Sequence, residues 1–130
     1  MATSLGALSP DDSARVAELA VDLARNGRTD ELLEFLDHGL PVDLADTQGN
    51  SLLMLAAYHG HAETVVALLD RGADVDLRND RDQTPVAGAL FKGEKQVVRA
   101  LVAAGADLDA GTPTARQAAD MFGTQSLLKL

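Results

Sequence analysis

A repeat of 33 residues constrains this sequence more than any other feature. Two glycine columns keep that step, one made of Gly27, Gly60 and Gly93, the other of Gly39, Gly72 and Gly105. An aspartate column keeps it as well, at Asp43, Asp76 and Asp109. Repeats of this length are single supersecondary units that cannot bury their apolar faces alone. The chain is therefore expected to stack similar units against one another rather than fold around one central core.

Each unit is predicted to contain two short helices. In the middle unit the first helix runs through LLMLAAYH, with Ser51 or Asn50 as its cap. Gly60 is expected to end it, since glycine accepts the left-handed conformation without steric cost. The second helix, AETVVALLDR, is expected to bury an apolar face made of Val65, Val66, Leu68 and Leu69.

Turns are predicted between the helix pairs. Residues 46–50 and their counterparts 79–83 consist of turn-forming residue types. Asp82 stands where the earlier turn has Gly49, and Asp is one of the few other residues tolerated at positive φ. We therefore expect two similar turns.

These residues resemble the ankyrin repeat family. The stretch SLLMLAAYHGHAETVVALLDRGADVDLRN is similar to the family pattern T-P-L-H-x-A…G-H…V-x-x-L-L-x-x-G-A-D-V-N, and Thr84-Pro85 repeats its start in the next unit. The resemblance covers about residues 13–130 and implies an all-α solenoid of helix-turn-helix units with short turn fingers. The motif histidine is replaced by Met54 and Ala87. Some of the hydrogen bonds that it makes between repeats are therefore expected to be missing.

The predicted domain organisation is one ankyrin-like domain over residues 1–130. Its repeats fall at about 13–45, 46–78, 79–111 and 112–130, after an N-terminal tail of residues 1–8. The run Ser9-Pro10-Asp11-Asp12 is a strong helix start, with a capping Ser, Pro at the first helical position and acids at the positive end of the helix dipole. The first and last repeats are expected to act as caps.

The last repeat is predicted to begin early, at Thr112. Gly123 follows Gly93 by 30 residues instead of 33, which indicates a shortened turn. Its second helix would be brief and would leave Leu127, Leu128 and Leu130 without a long covering helix. That end is expected to be either a small cap or a surface through which a monomer forms a weak homodimer.

Charge and composition exclude several classes of partner. The chain has 20 acidic and 11 basic residues and a net charge of -9, so phosphates and anionic lipids would repel it. We expect no nucleic-acid and no membrane partner. Cysteine is absent, which excludes disulfides and thiolate metal sites. The first residues do not form a secretory signal, no stretch approaches the roughly 18 apolar residues of a membrane span, and a cytoplasmic location is expected.

Catalysis has little support in the sequence. His59 and His61 could hold a metal through two imidazoles, but they flank Gly60 and the spacing suggests no third ligand. Asp74, Asp76, Asp80 and Asp82 lack the spacing of a calcium loop. Asp74 and Asp76 recur with the repeat, which indicates a role in turns and caps. No phosphate-binding loop or nucleophile elbow is present. The chain is predicted not to be an enzyme, with no catalytic residue, no metal and no cofactor.

The resemblance implies protein–protein interaction on a concave face, lined by the turn tips and the ends of the first helices. In this sequence the predicted partner-binding residues are Thr47, Gln48, Asn50, Tyr58, His59, Asp80, Arg81, Gln83, Phe91, Lys92 and Phe122. Arg25, Asn26 and Met121 are expected beside them. Tyr58 and Phe91 stand 33 residues apart, and exposed aromatic residues are typical of recognition hot spots. Alternatively, both rings only pack on the neighbouring helix.

Charge patterning leaves two other functions open. Residues 1–46 contain ten acids and three basic residues, whereas residues 47–130 contain ten and eight. The third repeat gathers Arg78, Arg81, Lys92, Lys95 and Arg99, which could attract an acidic group or only form a solvated surface. The first alternative is a small acidic inhibitor or immunity-type protein that blocks a basic enzyme. The second is a self-associating structural unit.

Overall fold

The helices of this chain come in pairs. The computed structural model describes residues 8–128, where apart from turns and one isolated bridge between Ala45 and Ser51 the chain is helical. The helices are α1 (Pro10–Arg25), α2 (Thr29–Asp37), α3 (Leu52–Tyr58), α4 (Ala62–Asp70), α5 (Pro85–Lys92), α6 (Lys95–Ala103), α7 (Ala115–Phe122) and a final 3-10 helix (Gln125–Leu128). The predicted all-α architecture is confirmed. Residues 1–7 of the predicted tail and Leu130 lie outside the described residues.

A hydroxyl side chain starts the first helix of every pair. Ser51 Oγ accepts a hydrogen bond from the Met54 amide at 3.0 Å, so Ser51 and not Asn50 caps α3. The equivalent caps of α1, α5 and α7 are Ser9, Thr84 and Thr114. Such caps satisfy backbone amides that have no partner within the helix. The local sequence therefore determines where each pair begins.

The pairs stack in two rows. The inner row consists of α1, α3, α5 and α7, and the outer row of α2, α4, α6 and the 3-10 helix. The core lies between them and includes the fully buried Leu53, Leu68, Leu90 and Leu101. Burying one such side chain stabilises the fold by roughly 1.5–3 kcal/mol. Each pair buries its apolar side chains against its neighbours, as expected of a repeat solenoid.

The prediction that Val65, Val66, Leu68 and Leu69 share one face of α4 is wrong for Val66. Val65 and Leu68 are fully buried and Leu69 is half-buried, but Val66 is 46% exposed. Residues separated by three or four positions share a helix face, whereas adjacent residues point about 100° apart. Val65 and Leu68 therefore face the core together, and Leu69 lies at the edge of that face. Val66 points about 160° away from Leu68 around the helix and faces solvent.

Hydrogen bonds other than those of the motif histidine connect the repeats. His61 Nε2 lies 2.8 Å from the Arg25 carbonyl oxygen and joins the first two pairs. The Thr29 and Thr64 hydroxyls meet at 2.7 Å between α2 and α4. Met54 and Ala87, which replace the motif histidine, are buried apolar residues. The bracing is thus supplied from other positions.

The recurring aspartates hold the turns that follow the outer helices. Asp43 Oδ1 accepts a hydrogen bond from the Asp74 amide at 2.9 Å, one repeat further along the chain. Asp76 Oδ1 accepts the equivalent bond from the Asp107 amide at 2.8 Å. The turn role predicted for Asp74 and Asp76 accounts for their recurrence.

Each of the two turn fingers is stabilised by one of its own side chains. Asp46 Oδ1 accepts hydrogen bonds from two backbone amides of its finger, and Asn79 Oδ1 does the same one repeat later. Asn79 Nδ2 donates to Asn50 Oδ1 at 2.8 Å and links the two fingers. Asp82 adopts a φ of 61°, the left-handed conformation predicted from its correspondence to Gly49.

The junction with the last repeat is shorter, as predicted. The helix caps Thr84 and Thr114 are 30 residues apart. Thr112 joins the junction to the preceding finger, because its hydroxyl donates to Asp82 Oδ2 at 2.7 Å and its amide to the Asp82 carbonyl at 2.8 Å. Arg78 and the Thr112 hydroxyl lower the pKa of Asp82 below its ordinary value. These bonds stabilise the carboxylate in its charged form.

The C-terminal leucines that the structure describes pack against the core. Leu127 and Leu128 are half-buried, and their 3-10 helix contacts α6 and α7. This placement favours the small cap over the exposed surface as their role. Self-association through this end stays a prediction.

The buried hydroxyl pair predicts a non-additive mutational effect. We expect Thr64→Val to lower the free energy of unfolding by about 1–3 kcal/mol, because it leaves the Thr29 hydroxyl without a hydrogen-bond partner. The double variant Thr29→Val/Thr64→Val is expected to recover most of that loss, since both polar groups are then absent. Urea unfolding followed by circular dichroism measures all three variants. Losses that simply add would contradict the pairing.

Candidate recognition groove

A groove of about 700 Å³ lies along the inner row of helices. One wall is formed by the two turn fingers, residues 46–50 and 79–83. The opposite wall is formed by the C-terminal ends of α3, α5 and α7. The floor between them is apolar and consists of Met54, Leu55, Ala87, Gly88 and Ala118.

Three aromatic rings form the wall opposite the fingers. The ring of Phe91 stacks on that of Tyr58, with centroids 6.1 Å apart, and meets that of Phe122 edge-on at 4.6 Å. We call these three residues the aromatic ladder. They remain 37%, 48% and 43% exposed for Tyr58, Phe91 and Phe122 respectively. The rings pack on neighbouring repeats and still present an open apolar surface, and the contact role predicted for Tyr58 and Phe91 stays a prediction.

Gly88 lies in the groove next to the Tyr58 and Met54 side chains. A Cβ atom at Gly88 would lie in ordinary van der Waals contact with Tyr58 Cδ1 at 3.6 Å and with Met54 Sδ at 3.7 Å, so the space that this glycine leaves is the size of a methyl group. Ala87 adds only a methyl group. The small residues Ala87 and Gly88 therefore keep the middle of the groove free of bulky side chains.

Positive charge gathers at one end of the ladder. Lys92 Nζ lies 5.1 Å from the centroid of the Tyr58 ring, within range of a cation–π interaction. The His59 ring meets Tyr58 edge-on at 5.4 Å, and Arg25 lines the same groove. We call Arg25, His59 and Lys92 the cationic corner. Partial burial lowers the pKa of His59 below its ordinary value, and the charges of His61, Arg25 and Lys92 lower it further.

The structure brings the predicted binding residues together. The groove is lined by Thr47, Gln48, Asn50, Tyr58, His59, Asp80, Arg81, Gln83, Phe91 and Phe122. Lys92 does not line it but lies over Tyr58 at its edge. Arg25 and Met121 are lining residues, whereas Asn26 is not.

Sequence reasoning missed the floor of the groove. It placed no binding role on Met54, Ala87 or Gly88, although the first two replace the motif histidine of the family. The replacement of the motif histidine was the sequence signal for this floor, because an apolar residue at that position makes the surface between the fingers and the ladder apolar. Gly88 carried no such signal, since the space beside it depends on where Tyr58 lies.

Neither of the two clusters considered as metal sites forms a set of metal ligands among the described residues. The ring centroids of His59 and His61 are 6.5 Å apart, and His61 Nε2 is engaged by the Arg25 carbonyl. Within residues 8–128, no group of three His, Asp or Glu side chains could hold a metal ion. The predicted absence of metals and cofactors stays a prediction.

Among the described helices, none has the length and apolar character to cross a membrane.

Stacked helix pairs with projecting fingers define a helical repeat solenoid. The chain belongs to the ankyrin repeat family, whose model matches in three copies over residues 20–112. A stretch of 38 residues is also 53% identical to a Pseudomonas aeruginosa protein named as an ankyrin repeat protein. That match covers 29% of this chain and 22% of the relative, so the chain spans less than a quarter of the relative's length. Ankyrin repeats generally bind other proteins and are typically non-catalytic.

Proposed function

We propose that this chain is a non-catalytic recognition module that binds a partner protein in the groove of its concave face. The aromatic ladder carries the proposal. The sequence has one Tyr, three Phe and no Trp. Three of these four aromatic residues line one groove, and their side chains are 37–48% exposed. Aromatic side chains dominate the binding energy of protein interfaces. Their concentration at one exposed site favours partner binding there.

The groove is also preformed. Its floor belongs to the packed helices of the inner row. The wall formed by the two fingers is held in place by hydrogen bonds within and between them. A rigid surface loses little conformational entropy when a partner docks. Most of the apolar area covered on docking can then contribute to affinity.

Affinity capture with matched baits tests the proposal. The baits are the wild-type chain, Phe91→Ala and Val66→Ala, each incubated with native lysate at two salt concentrations. Val66 is a suitable control because it is an apolar residue of similar exposure, 46% against 48% for Phe91, and lies on the outer row. We expect Phe91→Ala to reduce capture of the specific partner at least tenfold and Val66→Ala to leave it unchanged, as measured by quantitative mass spectrometry.

Two other results would contradict the proposal. Equal capture by all three baits would place the binding surface outside the groove. Capture that is lost at high salt but is insensitive to Phe91→Ala would favour the acidic-inhibitor alternative, because screening removes long-range attraction between charged surfaces.

A further inference from the structure

The cationic corner is a cluster of basic side chains on a chain whose net charge is -9. Within residues 8–128, neither Lys92 nor His59 takes part in an ion pair, whereas Arg25 pairs with Asp22 at 2.7 Å. The carboxylate of Asp46, in the first finger, accepts hydrogen bonds from the backbone amides of its own turn. Lys92 therefore carries a positive charge over the Tyr58 ring that no ion pair among the described residues neutralises.

This charge adjoins the apolar surface of the groove. Lys92 Nζ lies over the ring of Tyr58, and that ring stacks on Phe91. A ligand that covers the ladder thus brings its neighbouring groups within reach of Lys92 and His59. The complementary chemistry is an apolar side chain with an anionic group close to it.

We propose that the groove binds an extended segment of the partner in which an aromatic or branched aliphatic side chain stands within three residues of an Asp or Glu. The apolar side chain lies on the ladder above Met54 and Gly88, and the carboxylate reaches the cationic corner. This inference rests on the proposed function and specifies the chemistry of the partner for the same groove.

The size of the groove favours a segment over a broad folded surface. Its volume of about 700 Å³ falls in the range of pockets that enclose small ligands, roughly 300–1,000 Å³. The negative charge elsewhere on the chain does not prevent the approach of a carboxylate. The Debye length is about 8 Å at physiological ionic strength, so nearby cations dominate once the segment makes contact.

The carboxylate of the bound segment should also affect the pKa of His59, which makes binding depend on pH. The charged groups around His59 are Arg25 and Asp22 on α1, His61 at the start of α4, Lys92 at the end of α5 and Glu94, whose carboxylate lies against Gly60. An added carboxylate stabilises the protonated imidazole and raises the pKa of His59, which burial and the cations lower in the free chain. Binding then takes up a proton, so affinity rises as the pH falls through the pKa of His59.

Selection from a random peptide library tests the inference. Phage-displayed 12-residue peptides are selected on the full chain at 150 mM NaCl, and the enriched peptides are synthesised. We expect an Asp or Glu within three residues of Leu, Ile, Phe, Tyr or Trp to be enriched. Exchange of that acid for its amide in the synthetic peptide is expected to weaken binding roughly 2- to 5-fold, as measured by fluorescence anisotropy.

Charge-matched variants locate the carboxylate. Lys92→Gln and Lys95→Gln remove the same charge from exposed positions three residues apart, but Lys95 begins the outer helix α6. We expect Lys92→Gln to weaken binding of the selected peptides roughly 2- to 5-fold and Lys95→Gln to have no effect. His59→Gln is expected to remove most of the gain in affinity between pH 7.5 and pH 5.5.

The outcomes separate this inference from the proposed function. Selected peptides without acids, which are weakened by Phe91→Ala but not by Lys92→Gln, would overturn the carboxylate preference and leave the groove as the binding site. Peptides insensitive to both substitutions would overturn the inference and place peptide binding outside the groove. Failure to select any peptide would overturn binding of an extended segment, while capture of a partner that depends on Phe91 would still support the proposed function.

Discussion

Leu90→Ala is expected to lower the free energy of unfolding by about 2–5 kcal/mol, the usual cost of opening a cavity in a packed core. Leu90 is fully buried, and its helix α5 contacts α3, α6 and α7. The substitution therefore weakens the interfaces on both sides of the third repeat. Since a domain of this size is stable by only about 5–15 kcal/mol in total, a large part of its stability should be lost.

Urea unfolding followed by circular dichroism measures this effect. The matched control is Leu19→Ala, which removes the same atoms from a side chain that is 47% exposed on α1. We expect the control to change stability by no more than about 0.5 kcal/mol. Similar losses for the two variants would contradict the burial of Leu90 at the centre of the stack.

The double substitution Tyr58→Ala/Phe91→Ala is expected to abolish partner binding and leave the helicity unchanged. Truncation of hot-spot aromatic residues typically costs at least about 2 kcal/mol each. The combined loss would reduce affinity at least about 100-fold. Both rings lie at the exposed ends of α3 and α5, with Tyr58 37% and Phe91 48% exposed, so the core beneath them should persist.

Calorimetry with the captured partner, together with circular dichroism, measures this second effect. The two single variants should not add to the double, because the rings stack on one another and act as one surface. Val66→Ala again serves as the control for the loss of an exposed apolar side chain. An unchanged affinity in the double variant would refute the role of the ladder, and a loss of helicity would show that the rings are structural.

Local signals in the sequence were sufficient to predict the helix pairs. Capping hydroxyls such as Ser51, and Asp82 at the position of Gly49, act through the backbone of a few neighbouring residues. The 33-residue period then places equivalent side chains above one another, so Tyr58 and Phe91 were predicted to form a column. These features depend on sequence separation and local geometry, both of which are visible in the chain itself.

The depth and charge of the groove depended on contacts between repeats. The small space beside Gly88 is bounded by the ring of Tyr58, which is 30 positions away in the sequence. Likewise, His61 replaces some of the missing bracing because its ring reaches the Arg25 carbonyl in the preceding repeat. Distances of this kind arise from the packing of side chains, and a pattern of residue types does not specify them.

The sequence by itself determined the repeat, the helix starts, the shortened last junction and the candidates for the binding face. The tertiary structure alone decided which apolar side chains face the core, that Val66 does not, and that a cationic corner adjoins the aromatic ladder. The physical reason is the range of the interactions. Caps and turns depend on hydrogen bonds between residues a few positions apart. Burial, ring stacking and the pKa of His59 depend on groups that only the stacking of repeats brings together.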